Sequence, residues 1–142
     1  MRKRSKTRTL TKSEMVIMNH LWDHSSGGVA IRDLLSLYPE PKPAYTTVAT
    51  FMKVLTQKGF VKSFKRDGDG KTLFFIPTIG RDQYRKQVVS EVKETCFDGS
   101  SKDLLSFFVE SEELSHEDII EMRGLIQKIE ERFSTPHSST RQ

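Results

Sequence analysis

The stretch "AYTTVATFMKVLTQKGF", Ala44–Phe60, runs straight into "VKSFKRDGDGKTLFFIPTI", Val61–Ile79, and the pair decides the fold. In the first part Val48, Phe51, Met52 and Leu55 recur at i, i+3, i+4 and i+7, the apolar stripe of a helix. Lys58-Gly59 marks its end, with Gly59 suited to the left-handed position that follows a helix. The period then changes. Two aromatic and β-branched runs flank Asp67-Gly68-Asp69-Gly70, which reads as a hairpin.

The helix opens on residues that stability alone does not favour. Thr46, Thr47 and Thr50 occupy its first turns. A branched Cβ is restricted against the preceding turn, so threonine is a mediocre helix former. Ala, Glu or Lys would serve a purely structural helix better. At about 100° per residue, Thr46, Thr50, Lys53 and Gln57 fall together opposite the apolar stripe, with Thr47 and Ala49 flanking them. That face is short, polar and nearly free of acid. Short side chains let a helix lie deep in the DNA major groove. There a Thr hydroxyl can bond a phosphate or base edge, and a Thr or Ala methyl can touch a thymine methyl.

Upstream of this stretch, Thr11-Lys12-Ser13-Glu14 is a capping box, and Leu10 and Met15 take the positions of a hydrophobic staple. The helix it starts should run to about His24 and stop at Ser25-Ser26-Gly27-Gly28. A second short helix carries Ile31, Leu34, Leu35 and Tyr38, with Val29 before it as a possible strand residue. Pro39, Pro41 and Pro43 end it and stiffen the connection to the third helix. Three helices followed by a basic hairpin are the parts of a winged helix-turn-helix domain. Lys62, Lys65, Arg66 and Lys71 on the hairpin are candidates for phosphate contacts.

Downstream the chain is helical. Arg81 to about Phe97 carries Tyr84, Val88 and Val92 in line, and Ser100 to Asp103 can cap "LLSFFVE". Ser115 and Asp118 repeat the capping pattern, with Leu114 stapled to Ile119. Ile119, Met122, Ile126, Ile129 and Phe133 are then spaced 4 and 3 alternately, a heptad seam. A short helix holding Leu104, Leu105, Phe107, Phe108 and Val109 must be covered on most sides. The expected solution is a dimer, the alternatives being a self-contained bundle or packing back onto the front domain, with Val88, Val92, Leu104, Leu105, Phe107, Phe108, Ile119, Met122, Ile126 and Ile129 as candidate contacts.

Charge divides the chain in the same place. Residues 1–90 hold 17 Lys and Arg against 7 Asp and Glu, a formal +10. Residues 91–142 hold 6 against 12, a formal −6, and the whole chain is +4. A basic front half fits a polyanionic partner, and an acidic back half fits protein or solvent. The basic arm Arg2, Lys3, Arg4, Lys6 and Arg8 can follow a DNA backbone or serve as a solubilising tail. No apolar run approaches the ~18 residues of a membrane span, and the N-terminus lacks the apolar stretch of a signal peptide. With Cys96 as the single cysteine, a cytoplasmic location is the simplest expectation.

Catalytic and metal chemistry find little support. His20 and His24 have a spacing that can hold a metal, but no Cys or His lies near in sequence to complete a shell. Asp67-Gly68-Asp69-Gly70 lacks the remaining ligands of a calcium loop and reads as a turn. No phosphate loop or nucleophile motif is present. Neither an enzyme nor a cofactor is expected.

The order of motifs resembles the penicillinase- and methicillin-resistance-repressor family of bacterial transcription regulators, which also has copper-responsive members. The resemblance rests on "LTKSEMVIMNHLW", "AYTTVATFMKVLTQKGFV" and "FFVESEELSHEDIIEMRGLI", and runs from about Leu10 to about Arg132. It implies a mainly α fold with a small β-hairpin wing (α+β): an N-terminal winged helix-turn-helix and a C-terminal helical dimerisation region. The expected division is a basic flexible arm over 1–9, the DNA-binding domain over 10–79, the dimerisation domain over 80–133 and a disordered tail over 134–142. It further implies a homodimer that represses resistance genes at a palindromic operator. Tyr45, Thr46, Thr47, Ala49, Thr50, Lys53, Gln57, Lys62, Lys65, Arg66 and Lys71 are the candidate DNA contacts. In the antibiotic-responsive branch a membrane sensor with a protease domain starts a response that cuts the repressor. The corresponding bond here joins Phe107 and Phe108, with Phe107 where the resistance repressors carry Asn. The cysteine-rich metal site of the copper branch has no counterpart in a chain whose single cysteine is Cys96.

Two other functions share these features. One is a winged-helix protein-interaction module whose third helix binds a protein. The other is a sequence-indifferent nucleic-acid binder. Only a repressor predicts protection of a defined palindrome.

Overall fold

The computed structural model describes residues 9–24 and 26–134. The arm residues Arg2 to Arg8, and the tail beyond Ser134, lie outside them. The element order is α1 (Lys12–His24), α2 (Ile31–Ser36), α3 (Tyr45–Lys58), β1 (Val61–Lys65), β2 (Leu73–Pro77), α4 (Arg81–Phe97), α5 (Ser101–Ser111) and α6 (His116–Ser134).

The capping box forms as its spacing requires. The Thr11 amide donates to Glu14 Oε1 at 2.9 Å, and the Glu14 amide donates to Thr11 Oγ1 at 3.2 Å. Glu14 is nevertheless buried, 3% exposed, and it takes a second donor from Lys58 Nζ at 2.8 Å. Burial pushes its carboxyl upward. The Lys58 ammonium, helped by the Thr11 donors, outweighs that and holds the group below its ordinary value. This pair ties the start of α1 to the end of α3.

Ile17, Met18, Leu21, Leu34, Val48, Met52 and Leu55 are essentially inaccessible to solvent, and Phe60, Val61 and Phe75 close the same core. Burying a side chain of this size stabilises by about 1.5–3 kcal/mol, so this cluster holds the front of the molecule together. Leu10 and Met15, the staple pair, pack on its edge.

Gly59 ends α3 at φ 88°, and its amide reaches back to the Leu55 and Thr56 carbonyls. β1 and β2 then pair antiparallel with Val61 opposite Pro77 and Lys65 opposite Leu73. Val29 adds one residue of a third strand, exchanging two 2.9 Å hydrogen bonds with Phe75. The Asp-Gly repeat makes two successive turns, Asp69 amide to Arg66 carbonyl and Thr72 amide to Asp69 carbonyl. The wing tip is therefore longer than a two-residue hairpin. The architecture is mainly α with a β-hairpin wing, a winged helix-turn-helix with a helical second part.

The two compact units divide between Glu91 and Val92, within α4. The sequence suggests a boundary at 79/80; in the structure the first half of α4 is built into the front core. Tyr84 is buried there, its hydroxyl accepts the Leu10 amide at 2.8 Å, and its ring packs on Trp22 and Phe60. Trp22 Nε1 donates to the Ile79 carbonyl at 2.9 Å, and Arg81 pairs with Asp23 at 2.8 Å. Val88 packs against the same cluster. Val88 thus packs on the front unit's own core, whereas its alignment with Val92 in the sequence suggests a dimer contact.

In the second unit, Ser100 accepts the Asp103 amide at 3.0 Å, and Ser115 and Asp118 cap each other reciprocally. None of the described residues from Val92 onward is buried. Among the described residues no helix is long and apolar enough to cross a membrane.

Candidate nucleic-acid interface

α3 is two-sided. Val48, Met52 and Leu55 are buried, whereas Tyr45, Thr46, Thr47, Thr50, Lys53 and Gln57 are exposed and Ala49 is half-exposed. The core stripe fixes the rotation of the helix, so the threonines face solvent because the opposite side is packed. α2 and β1 both contact α3, which leaves the Thr face free along the helix.

Thr50 is not a free hydroxyl. Its Oγ1 donates to the Thr46 carbonyl at 3.0 Å, one turn back. That bond uses the only hydroxyl proton and leaves the methyl and the oxygen lone pairs for a partner. Thr50 thus offers a methyl and an acceptor.

On the wing, Lys62, Lys65 and Lys71 are exposed. Lys62 and Lys65 stand three apart on β1, so they point to opposite faces of the ribbon. A duplex lying against one face meets one of them. Lys71 instead sits at the end of the wing loop, in a cleft with Arg32 of α2 and Tyr45 of α3. The fold therefore brings Tyr45 and Lys71 together across a long stretch of sequence.

Arg66 has a different setting from the other basic residues. Its Nη2 donates to the Gly27 carbonyl at 2.7 Å, and its guanidinium lies 3.7 Å from the centroid of Phe74. Gly28 sits beneath, at φ 98°, where a Cβ would come within 2.6 Å of Phe64 Cζ. Arg66 thus holds the wing against the α1–α2 connection through Nη2. Spacing places it among the basic residues of the wing; only the fold shows where its guanidinium goes.

Arg32 is the cation that the sequence reading misses. It lies in a short helix beside Asp33, with no basic neighbour to draw notice. His20, a weak metal candidate by spacing, packs its ring 5.2 Å from Tyr38, and burial, with His24 nearby, pushes its imidazole pKa down against the pull of Asp23. Among the described residues no group of three or more His, Cys, Asp or Glu side chains could hold a metal ion.

In the second unit Val92, Leu105, Phe107, Phe108, Ile119, Ile126 and Ile129 are exposed, and Leu104 and Met122 half-exposed. The seam is wider than the heptad reading: Ile120 and Leu125 are also half or more exposed, and Phe133 is 65% exposed. Val109, Leu114, Ile119, Met122 and Ile126 line a groove of about 470 Å³.

These features define a winged-helix protein with a polar, exposed face on α3 and a largely uncovered helical unit. The sequence profile of the penicillinase repressor family matches residues 10–128, and the chain belongs to that family. Membership sets it among transcriptional regulators rather than enzymes. No curated protein is a significant match. Among solved structures, it is similar to the peroxide-sensing regulator PerR of Streptococcus pyogenes, at 22% identity over 49% of this chain and TM-score 0.43. That match spans 47% of the PerR chain, so this chain covers about half the length of that relative. It is also similar to MepR of Staphylococcus aureus, a transcription regulator of the multidrug efflux pump MepA, at 16% identity over 88% of this chain and 81% of that one, TM-score 0.45. The MepR–DNA complex matches at 18% identity over 88% and 80%, TM-score 0.46.

Proposed function

We propose that this protein is a homodimeric DNA-binding transcriptional repressor acting at a palindromic operator. The observation that carries the reading is the two-sided α3, with Val48, Met52 and Leu55 in the core and Thr46, Thr47, Thr50, Lys53 and Gln57 exposed opposite them. That face enters the major groove, where Thr methyls and hydroxyl oxygens meet base edges. Exposed wing lysines contact phosphates and set register.

The dimer forms through the second unit. A set of helices with no buried residue gains its hydrophobic stabilisation only by covering its apolar faces. A two-fold dimer of reading heads matches a two-fold DNA site.

The family resemblance supplies the biology: control of an antibiotic-resistance or stress operon, and release of repression by a membrane sensor-protease system. Cleavage falls between Phe107 and Phe108, inside α5. A protease needs extended substrate, so α5 must open locally before it is cut.

Selection of bound sequences from random duplex DNA, followed by footprinting, tests the reading. A single enriched palindrome, protected symmetrically, supports it. Binding without any enriched sequence contradicts it and favours a sequence-indifferent binder.

A further inference from the structure

We infer that the cleft between α2, the start of α3 and the wing loop seats one backbone phosphate of duplex DNA, with Arg32 as its main cation. The inference rests on the reading of the protein as a DNA binder, and adds a residue and a contact to it.

Three separate parts of the chain build the cleft: Arg32 from α2, Tyr45 from the first turn of α3, and Lys71 and Thr72 from the wing loop. Ala30, Ile31 and Leu73 complete its lining. No carboxylate lines it. Arg32 and Lys71 are exposed, and among the described residues neither side chain has a hydrogen bond or ion pair. The nearest acid in sequence, Asp33, is turned back to the Ala30 amide at 3.4 Å. Two unpaired cations, a phenol and a hydroxyl thus share one concavity. This contrasts with Arg66, whose Nη2 is held by the Gly27 and Gly28 carbonyls.

Size narrows the ligand. The cleft is about 190 Å³. Sites for drug-sized ligands run from about 300 Å³ upward, so this one suits a smaller group. A water occupies roughly 30 Å³, so a phosphate group and a few waters fill the space. A guanidinium fork binds phosphate bidentately, and Lys acts beside it as a point charge. Position agrees with chemistry. Tyr45 immediately precedes the Thr46–Thr47 face, so a phosphate held here fixes how α3 enters the groove.

The test compares wild type with Arg32→Ala and Arg32→Lys on a random-sequence duplex and on the duplex enriched by selection, across a range of salt. Arg32 is exposed, and circular dichroism verifies that each variant folds. The expected result for Arg32→Ala is an equal loss on both duplexes, about tenfold for a charged hydrogen bond, with the log–log salt slope shallower by about one. Arg32→Lys keeps the slope and recovers part of the affinity. Unchanged affinity and slope in Arg32→Ala, with wild type binding both duplexes, overturns the phosphate seat and leaves the DNA-binding reading intact. A loss confined to the enriched duplex assigns Arg32 to base readout and also overturns it. Saturable binding of inorganic phosphate, lost in Arg32→Ala while duplex affinity is unchanged, assigns the cleft to a free anion and overturns the backbone seat. Failure of wild type to bind either duplex overturns the DNA-binding reading itself.

Discussion

The Thr50 hydroxyl donates to the Thr46 carbonyl, 3.0 Å away on the exposed face of α3. Its proton is therefore committed within the helix, which leaves the methyl and the oxygen lone pairs of this exposed side chain for a partner. Thr50→Val keeps a methyl there and should retain most operator preference. Thr50→Ala removes it and should lose about 0.8 kcal/mol, roughly fourfold, for one buried methyl group. Equilibrium titration of the selected duplex checks this. If Thr50→Val loses as much as Thr50→Ala, the hydroxyl oxygen is the contact.

Glu14 and Lys58 set a pH dependence of folding. Burial alone would raise the Glu14 pKa, but Lys58 and Thr11 bring the folded value below the unfolded one. The stabilisation is then fully present above the ordinary carboxylate value of 4.5. It is lost as pH falls through the lower folded value. Denaturant melts at stepped pH should show this loss in wild type and a flatter curve in Glu14→Gln. Lys58→Met leaves a buried carboxylate without its cation and should cost about 2 kcal/mol at pH 7, allowing for the partly exposed Lys58.

Arg66 and Lys71 should separate cleanly. Arg66→Ala breaks the bond to the Gly27 carbonyl and the stack on Phe74. It should lower unfolding free energy by about 1 kcal/mol and leave the salt slope of DNA binding unchanged. Lys71→Ala should do the reverse: stability unchanged, slope shallower by about one. Thermal melts and salt-dependent binding on the same preparations decide between the two roles.

Ile126 is 50% exposed in the chain, in the middle of the α6 stripe. Ile126→Asp should give a monomer whose front unit still folds, since that unit has its own core. Sedimentation reads the first outcome and Trp22 fluorescence the second. An intact dimer would move the interface elsewhere.

Much of this architecture is legible in local pattern. Thr11 with Glu14, Ser115 with Asp118, and Gly59 after Lys58 each announce a helix end whose physics is confined to a few residues. The two faces of α3 follow from periodicity. Partners distant in sequence are not legible. Tyr84, Val88 and Val92 make one stripe, and periodicity says that it must be covered but not by what. The fold covers Tyr84 and Val88 with the front core and leaves Val92 exposed. Arg66 looks like any basic wing residue until the Gly27 carbonyl, 39 positions earlier, is seen to hold it. Arg32 is an isolated cation next to Asp33 in sequence and gains meaning only beside Tyr45 and Lys71.

Base reading by the Thr face of α3 is measured by the ratio of dissociation constants on random and selected duplexes, for wild type and for the double variant Thr46→Ala/Thr50→Ala. Base contacts specify, whereas phosphate contacts only position. The double variant should bind random DNA as wild type does and lose affinity for the selected palindrome, so the ratio falls. Equal losses on both duplexes, with the ratio unchanged, would contradict base reading by this face.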